Sequence, residues 1–300
     1  MKNLKQRFLL VSDMHYTTEE TDEELRLLYP DARTSVAAGN AFGRTQRQKI
    51  DKVTEAVIAE NAEKPLDAVL VLGDLSIDDY DARRMPFNYC RLFKEQCMDV
   101  LPCPAYAQPG NHDSYTDPLW RQVFGYPRQY SLKIGDCAFI MLDTFAKCPG
   151  VAGPGAPYNQ PDLAFLQREL KKYPTERIFL CAHYFEPSAE AALGEILKNE
   201  ERIVCLFRGH THHNAVMYPA EYHGTPLVDI GGYAYAGHVV NGKYTFNIFD
   251  EAWAWGYEIL EIYEDGVRMY HVKPTMDYKG DNGDFHVERI VSGELEIARK

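Results

Sequence analysis

Five short clusters of metal-ligating residue types occur along the chain, and each follows an apolar run that predicts a strand. They are Asp13-Met14-His15, Gly73-Asp74, Gly110-Asn111-His112-Asp113, His183 and Gly209-His210-Thr211-His212. One such cluster alone would mean little, because Asp-x-His and Gly-Asp arise by chance in a chain of 300 residues. Their order and their placement after strands make us expect that they form one site.

The candidate ligands are four histidines, two aspartates and one asparagine, and they include no thiolate. They are Asp13, His15, Asp74, Asn111, His183, His210 and His212. This donor set suits manganese, iron or zinc rather than a structural zinc site built from cysteine. Seven side chains can serve two divalent or trivalent ions if one carboxylate bridges them, and Asp74 is the natural bridge. Two ions roughly 3.5 to 4 Å apart can share a hydroxide and hold the oxygens of an in-line displacement, as phosphoester hydrolysis requires.

The elements that must position these ligands alternate between strand and helix. Short apolar runs of the kind found in strands buried on both faces precede the ligands, at residues 8–11, 66–72, 105–107, 178–182 and 203–207. Helical patterns cover residues 89–100 and 161–173, and turns at 135–136 and 264–266 predict two antiparallel hairpins. We therefore expect an α/β fold of two facing mixed sheets flanked by helices, with the ligands at strand ends.

Length and composition predict a single large domain. With 300 residues and 45% apolar residues, the chain can bury one core. We expect this domain over residues 1–272, with loop insertions near the site at 17–44 and 148–161, and a C-terminal extension at 273–300.

Charge and cysteine usage narrow the expected partners and compartment. The net charge of -12 disfavours nonspecific binding to nucleic acid or to anionic membranes. The seven cysteines form an odd set without a Cys-x-x-Cys pair, which is typical of reduced, cytoplasmic proteins. The early apolar run at 8–11 is too short for a signal peptide, and no run approaches the roughly 20 apolar residues of a membrane span.

Taken together, the five clusters resemble the signature of the calcineurin-like metallophosphoesterase superfamily. That signature is Asp-x-His, Gly-Asp, Gly-Asn-His-Asp or Glu, His and Gly-His-x-His, and all five blocks match between residues 13 and 212. The resemblance implies the four-layer αββα sandwich of that family, in agreement with the alternation above. It also implies two ion sites, one formed by Asp13, His15, Asp74 and His212 and the other by Asp74, Asn111, His183 and His210.

The same resemblance assigns three residues to the reaction. In the family, Asn111 lies near the substrate phosphate and His112 protonates the leaving oxygen or stabilises the phosphoryl charge, and Asp113 is expected to orient His112. The implied activity is hydrolysis of a small-molecule phosphodiester or phosphomonoester by a metal-activated hydroxide.

Departures from the family pattern bear on the subfamily. Protein Ser/Thr phosphatases carry Asp-Arg-Gly shortly after Gly-Asp, where this chain has residues 75–79, Leu-Ser-Ile-Asp-Asp, so that branch is disfavoured. Tyr16 stands where purple acid phosphatases place a tyrosine ligand, but those enzymes lack a histidine at the position of His15. We therefore expect Tyr16 either to lie in the core or to support the ligands without binding an ion. The pattern resembles class III cyclic-nucleotide phosphodiesterases and related branches, and it leaves the choice between diester and monoester open.

Two other functions are compatible with the same fold. A catalytically silent protein-binding scaffold, such as a subunit of the retromer coat that resembles this fold, typically lacks ligands or the catalytic histidine, and neither is missing here. A nuclease would need a basic groove, for which Arg83, Arg84 and Arg91 are the local candidates against an acidic balance. The oligomeric state is left open by the sequence.

Overall fold

The structure is a computed structural model that describes most of the chain. It describes residues 2–16, 43–76, 88–113, 115–146, 156–232, 237–240, 243–246, 256–278 and 285–298. The predicted insertion at 17–44 lies almost entirely outside these residues, and so do positions 148–155 of the second insertion.

Strands supply most of the described secondary structure. They are β1 (Leu4–Val11), β2 (Ala68–Leu72), β3 (Ala105–Gln108), β4 (Tyr130–Ile134), β5 (Cys137–Leu142), β6 (Arg177–Ala182), β7 (Ile203–Arg208), β8 (Asn214–Met217), β9 (Leu227–Ile230), β10 (Gly237–Val240), β11 (Lys243–Phe246), β12 (Tyr257–Tyr263), β13 (Gly266–Lys273), β14 (Met276–Tyr278), β15 (Phe285–Val287) and β16 (Ile290–Ala298). The helices are α1 (Gly43–Glu63), α2 (Tyr89–Phe93), α3 (Asp117–Phe124), α4 (Leu163–Lys172) and α5 (Ala191–Asn199).

Two mixed six-stranded sheets organise these strands. Sheet I has the order β16-β13-β12-β1-β2-β3, and sheet II has the order β4-β5-β6-β7-β9-β8. Strands β1, β2 and β3 are parallel in sheet I, and β5, β6, β7 and β9 are parallel in sheet II. Both predicted hairpins are present, as β4–β5 and β12–β13. β10 pairs with β11 and β14 with β15 in two small ribbons.

The packing is a four-layer αββα sandwich, which confirms the predicted fold class. Alternate side chains of β1 separate the layers, because successive residues of a strand point to opposite faces. Phe8 and Leu10 pack between the two sheets. Leu9 and Val11 pack outward, in the layer that also contains residues of α1, α2 and α3. A third apolar cluster, on the outer face of sheet II, includes Leu166 of α4 and Leu193 of α5.

The predicted helices are present with shorter bounds. The helix expected at 161–173 spans Leu163–Lys172, because the Asp162 side chain caps its first turn by accepting a hydrogen bond from the Phe165 amide at 3.0 Å. The helix expected at 89–100 is α2, which continues as a π-helical turn, Lys94–Met98. No helix in the described part of the chain combines the length and the apolar character needed to cross a bilayer.

The C-terminal segment is tied into the sandwich. β16 lies in the part predicted as an extension, and it pairs antiparallel with β13 from Gly266–Ala298 to Lys273–Ile290. It therefore forms one edge of sheet I, while the domain boundaries themselves stay predictions.

The layer between the sheets should be the most sensitive part of the core. Phe179 is fully buried there and lies between two other rings, with centroid distances of 5.2 Å to Phe139 and 5.9 Å to Phe207. We expect Phe179→Ala to lower the free energy of unfolding by about 3–5 kcal/mol, because the cavity cannot close. Equilibrium unfolding in urea, with a metal chelator present, measures this change in the free energy of unfolding. Ile58→Ala on the 46% exposed side of α1 is the control and should change stability by no more than about 0.5 kcal/mol. Equal losses would contradict a tightly packed middle layer.

Candidate metal centre

The two sheets bring the carboxyl ends of five strands to one place. Asp13 follows β1, Asp74 follows β2 and the segment Asn111–His112–Asp113 follows β3 in sheet I, while His183 and His210 follow β6 and β7 in sheet II. Because the strands within each set are parallel, their loops emerge at the same edge, where α/β proteins place ligands. The structure thus brings together all seven sequence-predicted ligands.

Potential ligand atoms converge in three overlapping groups. Within each group, one nitrogen or carboxylate oxygen per residue lies within 4.8 Å of the others. The groups are Asp13, His15 and His212; His15, Asp74 and His112; and Asp74, His183 and His210. Asp74 and His15 each belong to two of the groups, and of these two residues only Asp74 has a pair of carboxylate oxygens with which to bridge two ions.

Four side chains form the half of the centre nearest β6 and β7. The amide oxygen of Asn111 lies 3.0 Å from His183 Nε2 and 2.8 Å from His210 Nδ1. Asp74 Oδ2 lies 3.1 Å from the same His183 nitrogen. His183 Nδ1 is 2.8 Å from the carbonyl oxygen of Leu72 and donates to it, so Nε2 is the atom left for the centre.

The other half of the centre is formed around Asp13. Asp13 Oδ1 lies 3.2 Å from His212 Nε2 and 3.9 Å from His15 Nε2. Asp13 Oδ2 accepts a hydrogen bond of 2.9 Å from the His210 amide, so one carboxylate oxygen holds the loop while the other faces the histidines. His15 Nε2 is also 3.7 Å from Asp74 Oδ2. The two halves contain the residues of the two ion sites implied by the sequence resemblance, and the assignment of ligands to each ion stays a prediction.

Backbone strain is concentrated at the ligands. Among the described residues, seven non-glycine positions have positive φ, and five of them are Asp13, His15, Asp74, His210 and His212. This region of backbone conformation is costly for residues with a Cβ, by about 1–3 kcal/mol each. The loops therefore direct the ligand side chains towards one another by adopting unfavourable backbone conformations. The packing of the surrounding structure must offset this loss of stability.

Glycines in the ligand motifs allow close approach of chain to side chain. A Cβ at Gly73 would overlap the His183 ring, and a Cβ at Gly110 would overlap Asp74. A Cβ at Gly209 would overlap the Ser12 hydroxyl and lie 2.6 Å from Asp13 Oδ2. These glycines have a packing reason that a sequence pattern alone does not show. A Cβ at Gly232 would lie 3.2 Å from His212 Cγ.

The protonation states of three histidines differ because of their surroundings. Burial, followed by the charge of His112, lowers the pKa of His15 to about 3. Burial, followed by the charge of His183, lowers the pKa of His210 to about 4. Burial also opposes protonation of His183, but Asp74, Asp13 and the Leu72 carbonyl outweigh it and raise its pKa to about 9. His15 and His210 are therefore neutral ligands at pH 7, and His183 carries a proton.

The residues present fit a cationic group. Asp13 and Asp74 are almost completely buried. Burial opposes their ionisation, yet the neighbouring histidines hold the pKa of Asp13 at about 2 and that of Asp74 well below its usual range. Buried carboxylates need a counter-charge, and His15 and His210, which are neutral at pH 7, supply none. The donors are nitrogen and oxygen, which suits manganese, iron or zinc.

His112 lies at the edge of the centre rather than inside one half of it. Its amide donates to Asp74 Oδ1 at 2.8 Å, and its Nε2 lies 3.9 Å from Asp74 Oδ2. Its ring meets the His15 ring edge-on, with centroids 4.6 Å apart. It is thus adjacent to the bridging carboxylate without being needed to complete either half.

Asp113 is buried and binds the backbone of two ligand loops. Its carboxylate accepts hydrogen bonds of 3.0 Å from the amides of Leu75, Ser76 and Gly110. These contacts join the loop after β2 to the loop after β3. The role predicted for Asp113 in orienting His112 stays a prediction, whereas its bonds to the loops are a direct structural contribution.

Arg128 is a residue of the centre that the sequence analysis missed. It is buried, and its Nε donates to Asp143 Oδ2 at 2.7 Å while Nη1 donates to the Asp113 carbonyl at 3.0 Å. Asp143 Oδ1 in turn accepts from the Phe145 amide at 3.0 Å, and the Phe145 ring packs near His183 and His210. Nothing in the spacing of these residues signals the pair, because they come from two different loops.

Tyr16 is part of the core, as expected. It is fully buried, its hydroxyl donates to Gln96 Oε1 at 2.5 Å, and its ring packs against Phe93. The six described cysteines are all free thiols, which agrees with the expected reduced state.

Comparison with known proteins supports the family resemblance. The sequence profile of calcineurin-like phosphoesterases matches residues 6–214. No curated protein matches the sequence significantly. Among solved structures, a dimetal phosphatase from Danio rerio is similar with a TM-score of 0.58 and 16% identity, covering 96% of this chain and 99% of that one.

Two further similar structures belong to proteins of other descriptions. GAP50, the anchor in the inner membrane complex of Plasmodium, gives a TM-score of 0.50 at 13% identity, covering 90% of this chain and 85% of that one. Vacuolar Protein Sorting 29 from Cryptosporidium parvum gives 0.42 at 15% identity, covering 99% of this chain and 100% of that one. At these identities, the likenesses to the Danio rerio phosphatase and to GAP50 support the fold alone.

Gly209→Ala tests the close approach of the β7 loop to Asp13. We expect at least about a tenfold loss of metal affinity, because the new methyl group must push the loop away from Ser12 and Asp13. Titration of the metal-free protein with Mn²⁺ measures the loss. Gly125→Ala is the matched control, because a Cβ there meets open space and its φ of 83° adds only backbone strain. Similar metal affinities in both variants would contradict the proposed packing.

Metal binding should release protons from this centre at pH 7. His183 is protonated in the metal-free protein because its pKa is raised to about 9, and its Nε2 must lose that proton to bind an ion. We expect at least one proton released per chain, and an affinity that rises with pH, about tenfold per unit, until pH exceeds about 9. Calorimetric titrations in two buffers of different ionisation enthalpy count the protons. Identical heats in both buffers would show that His183 is already neutral.

Proposed function

Because the chain belongs to the calcineurin-like phosphoesterase family and unites its seven candidate ligands, we propose that it is a phosphoesterase dependent on two metal ions. Its substrate is a small-molecule phosphodiester or phosphomonoester, and ions held by these residues would activate the water that hydrolyses it. The observation that carries this proposal is the position of Asp74. Its carboxylate lies close to His15 and His112 in one group of ligand atoms and to His183 and His210 in another. This arrangement has the donors for two adjacent ions and a separate acid–base group next to them.

The ligands divide into two sets around the shared carboxylate. Asp13, His15, Asp74 and His212 would hold one ion, and Asp74, Asn111, His183 and His210 would hold the other. When bound, the two ions would lower the pKa of water and neutralise charge on the phosphoryl oxygens. Manganese, iron and zinc all suit these donors.

The protein's own groups supply the remaining chemistry. His112 is 9% exposed, so its ring borders both the buried carboxylates and the outside of the centre. In this position it donates a proton to the leaving oxygen or stabilises charge on the phosphoryl group. The bond from its amide to Asp74 fixes the backbone of His112 relative to the ligand that both halves share. Asn111 presents its amide oxygen between two histidines, which leaves its NH₂ group able to contact a phosphate oxygen.

The alternative function, a catalytically silent protein-binding scaffold, does not require the residues of this centre. A silent scaffold has no need for buried carboxylates, strained histidines and an acid–base group at one edge, all of which cost stability. Their retention supports the enzyme. A nuclease would need basic residues around the opening, but Arg83 and Arg84 lie outside the described residues and Arg91 is exposed on α2.

Two variants separate metal binding from turnover. We expect Asp74→Asn to weaken both ion sites at once, since the shared carboxylate loses its charge. We expect His112→Ala to retain both ions and to lose turnover by about 10²- to 10⁴-fold, the usual contribution of a general acid. Elemental analysis and hydrolysis of bis(p-nitrophenyl) phosphate and p-nitrophenyl phosphate with added Mn²⁺ measure the two properties.

The controls for this experiment are wild type and a surface histidine. His223→Ala removes a half-exposed histidine of a turn outside the centre, and it should leave metal content and turnover unchanged. Equal metal loss in Asp74→Asn and His112→Ala would contradict the roles assigned to them. Wild-type protein with no bound metal after supplementation and no turnover would favour the scaffold.

A further inference from the structure

The accessible side of the centre is defined by a few of its residues. Asp13, Asp74, His15 and His183 are buried to within 1% of complete burial. The His212 side chain, by contrast, is 16% exposed, and His210 is also partly exposed. The most exposed ligands of the centre therefore lie on the side of His210 and His212.

Three aromatic residues border this side next to His210, and we call them the aromatic shelf: Phe145, Tyr158 and Tyr184. The Tyr184 ring lies 4.8 Å from the His210 ring, and the Tyr158 ring stands perpendicular to Tyr184 at 5.5 Å. Phe145 is buried behind them, 5.9 Å from the His210 ring and 6.4 Å from the Tyr158 ring. Tyr158 and Tyr184 are both partly exposed, whereas Phe145 is buried.

The two tyrosine hydroxyls are already used within the protein. The Tyr184 hydroxyl donates to Glu186 Oε2 at 2.7 Å. The Tyr158 hydroxyl donates to Glu190, a buried carboxylate that also accepts from the Tyr222 hydroxyl. Each ring is therefore fixed by its polar end, and what it offers to a ligand is aromatic surface.

The two residues that follow Tyr158 are hydrogen-bonded to neighbouring loops. The Asn159 amide donates to the Thr144 carbonyl at 2.8 Å, and Gln160 Nε2 donates to the Ala189 carbonyl at 2.6 Å. A ring held in this way loses little conformational entropy when a ligand packs on it. The shelf is thus preorganised.

The charges around the shelf limit the ligand that it can take. The Arg208 guanidinium lies 5.1 Å from the centroid of the Tyr184 ring and is paired with Asp229. Because this cation already contacts the Tyr184 ring, a second cation from a ligand would be repelled there. The carboxylate of Glu186 at the end of the same ring opposes a further anion. Neither a cationic nor an anionic substituent is favoured, which leaves an uncharged one.

We propose that the aromatic shelf stacks a planar, uncharged ring of the substrate, such as a nucleobase, that is joined to the phosphoryl group directly or through a sugar. This inference rests on the proposed function, because the phosphoryl group must be held at the adjacent centre. It narrows the substrate class from phosphoesters in general to nucleotide-like or aryl phosphoesters.

A pair of ligands that differ only in the ring tests the shelf. Adenosine 5′-monophosphate and ribose 5-phosphate share the phosphate and the sugar, and their dissociation constants are measured by calorimetry on the Mn²⁺-loaded protein. We expect the adenine compound to bind roughly 5- to 100-fold more tightly, the range given by stacking of one base on an aromatic side chain. In Tyr184→Ala this ratio should fall to near one, and in Tyr184→Phe, which keeps the ring, it should be retained.

Two further variants keep the test valid if a substitution at Tyr184 prevents folding. Tyr158→Leu should also reduce the ratio, and Tyr218→Ala, which removes a 59% exposed tyrosine outside the shelf, should keep it. Equal affinities for the two ligands in wild-type protein would overturn the shelf while leaving the proposed function intact, provided that bis(p-nitrophenyl) phosphate is hydrolysed. Tighter binding of phosphocholine than of adenosine 5′-monophosphate would overturn it in favour of a cation site. Failure of both sugar phosphates to bind, together with no turnover, would overturn the proposed function and the shelf with it.

Discussion

The burial of two carboxylates at one edge of the sandwich is the constraint on which the rest of this structure depends. Asp13 and Asp74 are taken out of water between two sheets, and an uncompensated buried charge costs several kcal/mol. Three features reduce this cost. Histidine nitrogens surround the carboxylate oxygens, His183 retains a proton, and the backbone amides of His112 and His210 donate hydrogen bonds to the two carboxylates. The centre is thus an anionic site that a cation would complete.

The same constraint explains why the loops have unfavourable backbone conformations. A histidine can reach a carboxylate that lies below the sheet edge only if the chain turns sharply as it leaves the strand. Positive φ at His210 and His212 provides that turn, and Gly209 removes the side chain that would block it. The extensive apolar packing on both faces of each sheet holds these loops in place. Strain at the centre and tight packing in the three core layers are therefore two aspects of one arrangement.

Connections between the sheets decide how precisely the centre is held. His183 belongs to sheet II and donates to the Leu72 carbonyl of sheet I, so one ligand also joins the two sheets. Arg128 and Asp143 form a second connection, since they tie the loop that carries His112 to the loop that carries Phe145. A protein that only served as a docking surface would gain little from these buried polar contacts. They favour an interpretation in which the distance between His112 and the ligands matters.

Much of this protein was determined by the sequence alone. The alternation of apolar runs and helical patterns predicted the αββα sandwich, since strands buried on both faces need continuous apolar residues. The motifs also identified the seven candidate ligands, because five clusters of ligand types, each directly after a strand, rarely occur in one chain by chance. These features are local, and local chemistry can be seen in a linear pattern.

Only the tertiary structure decided how the ligands relate to one another and what surrounds them. Arg128, Phe145 and Tyr184 act through contacts with residues far away in the chain or in another loop, and no spacing in the sequence indicates such contacts. The proton on His183 likewise depends on two carboxylates from other strands, Asp13 and Asp74, which outweigh the effect of burial. The edge strand β16 was hidden for a similar reason, because its exposed residues carry no strong apolar signal and its strand conformation comes from pairing with β13. Charge balance, stacking and edge pairing are properties of neighbours in space, and folding alone brings those neighbours together.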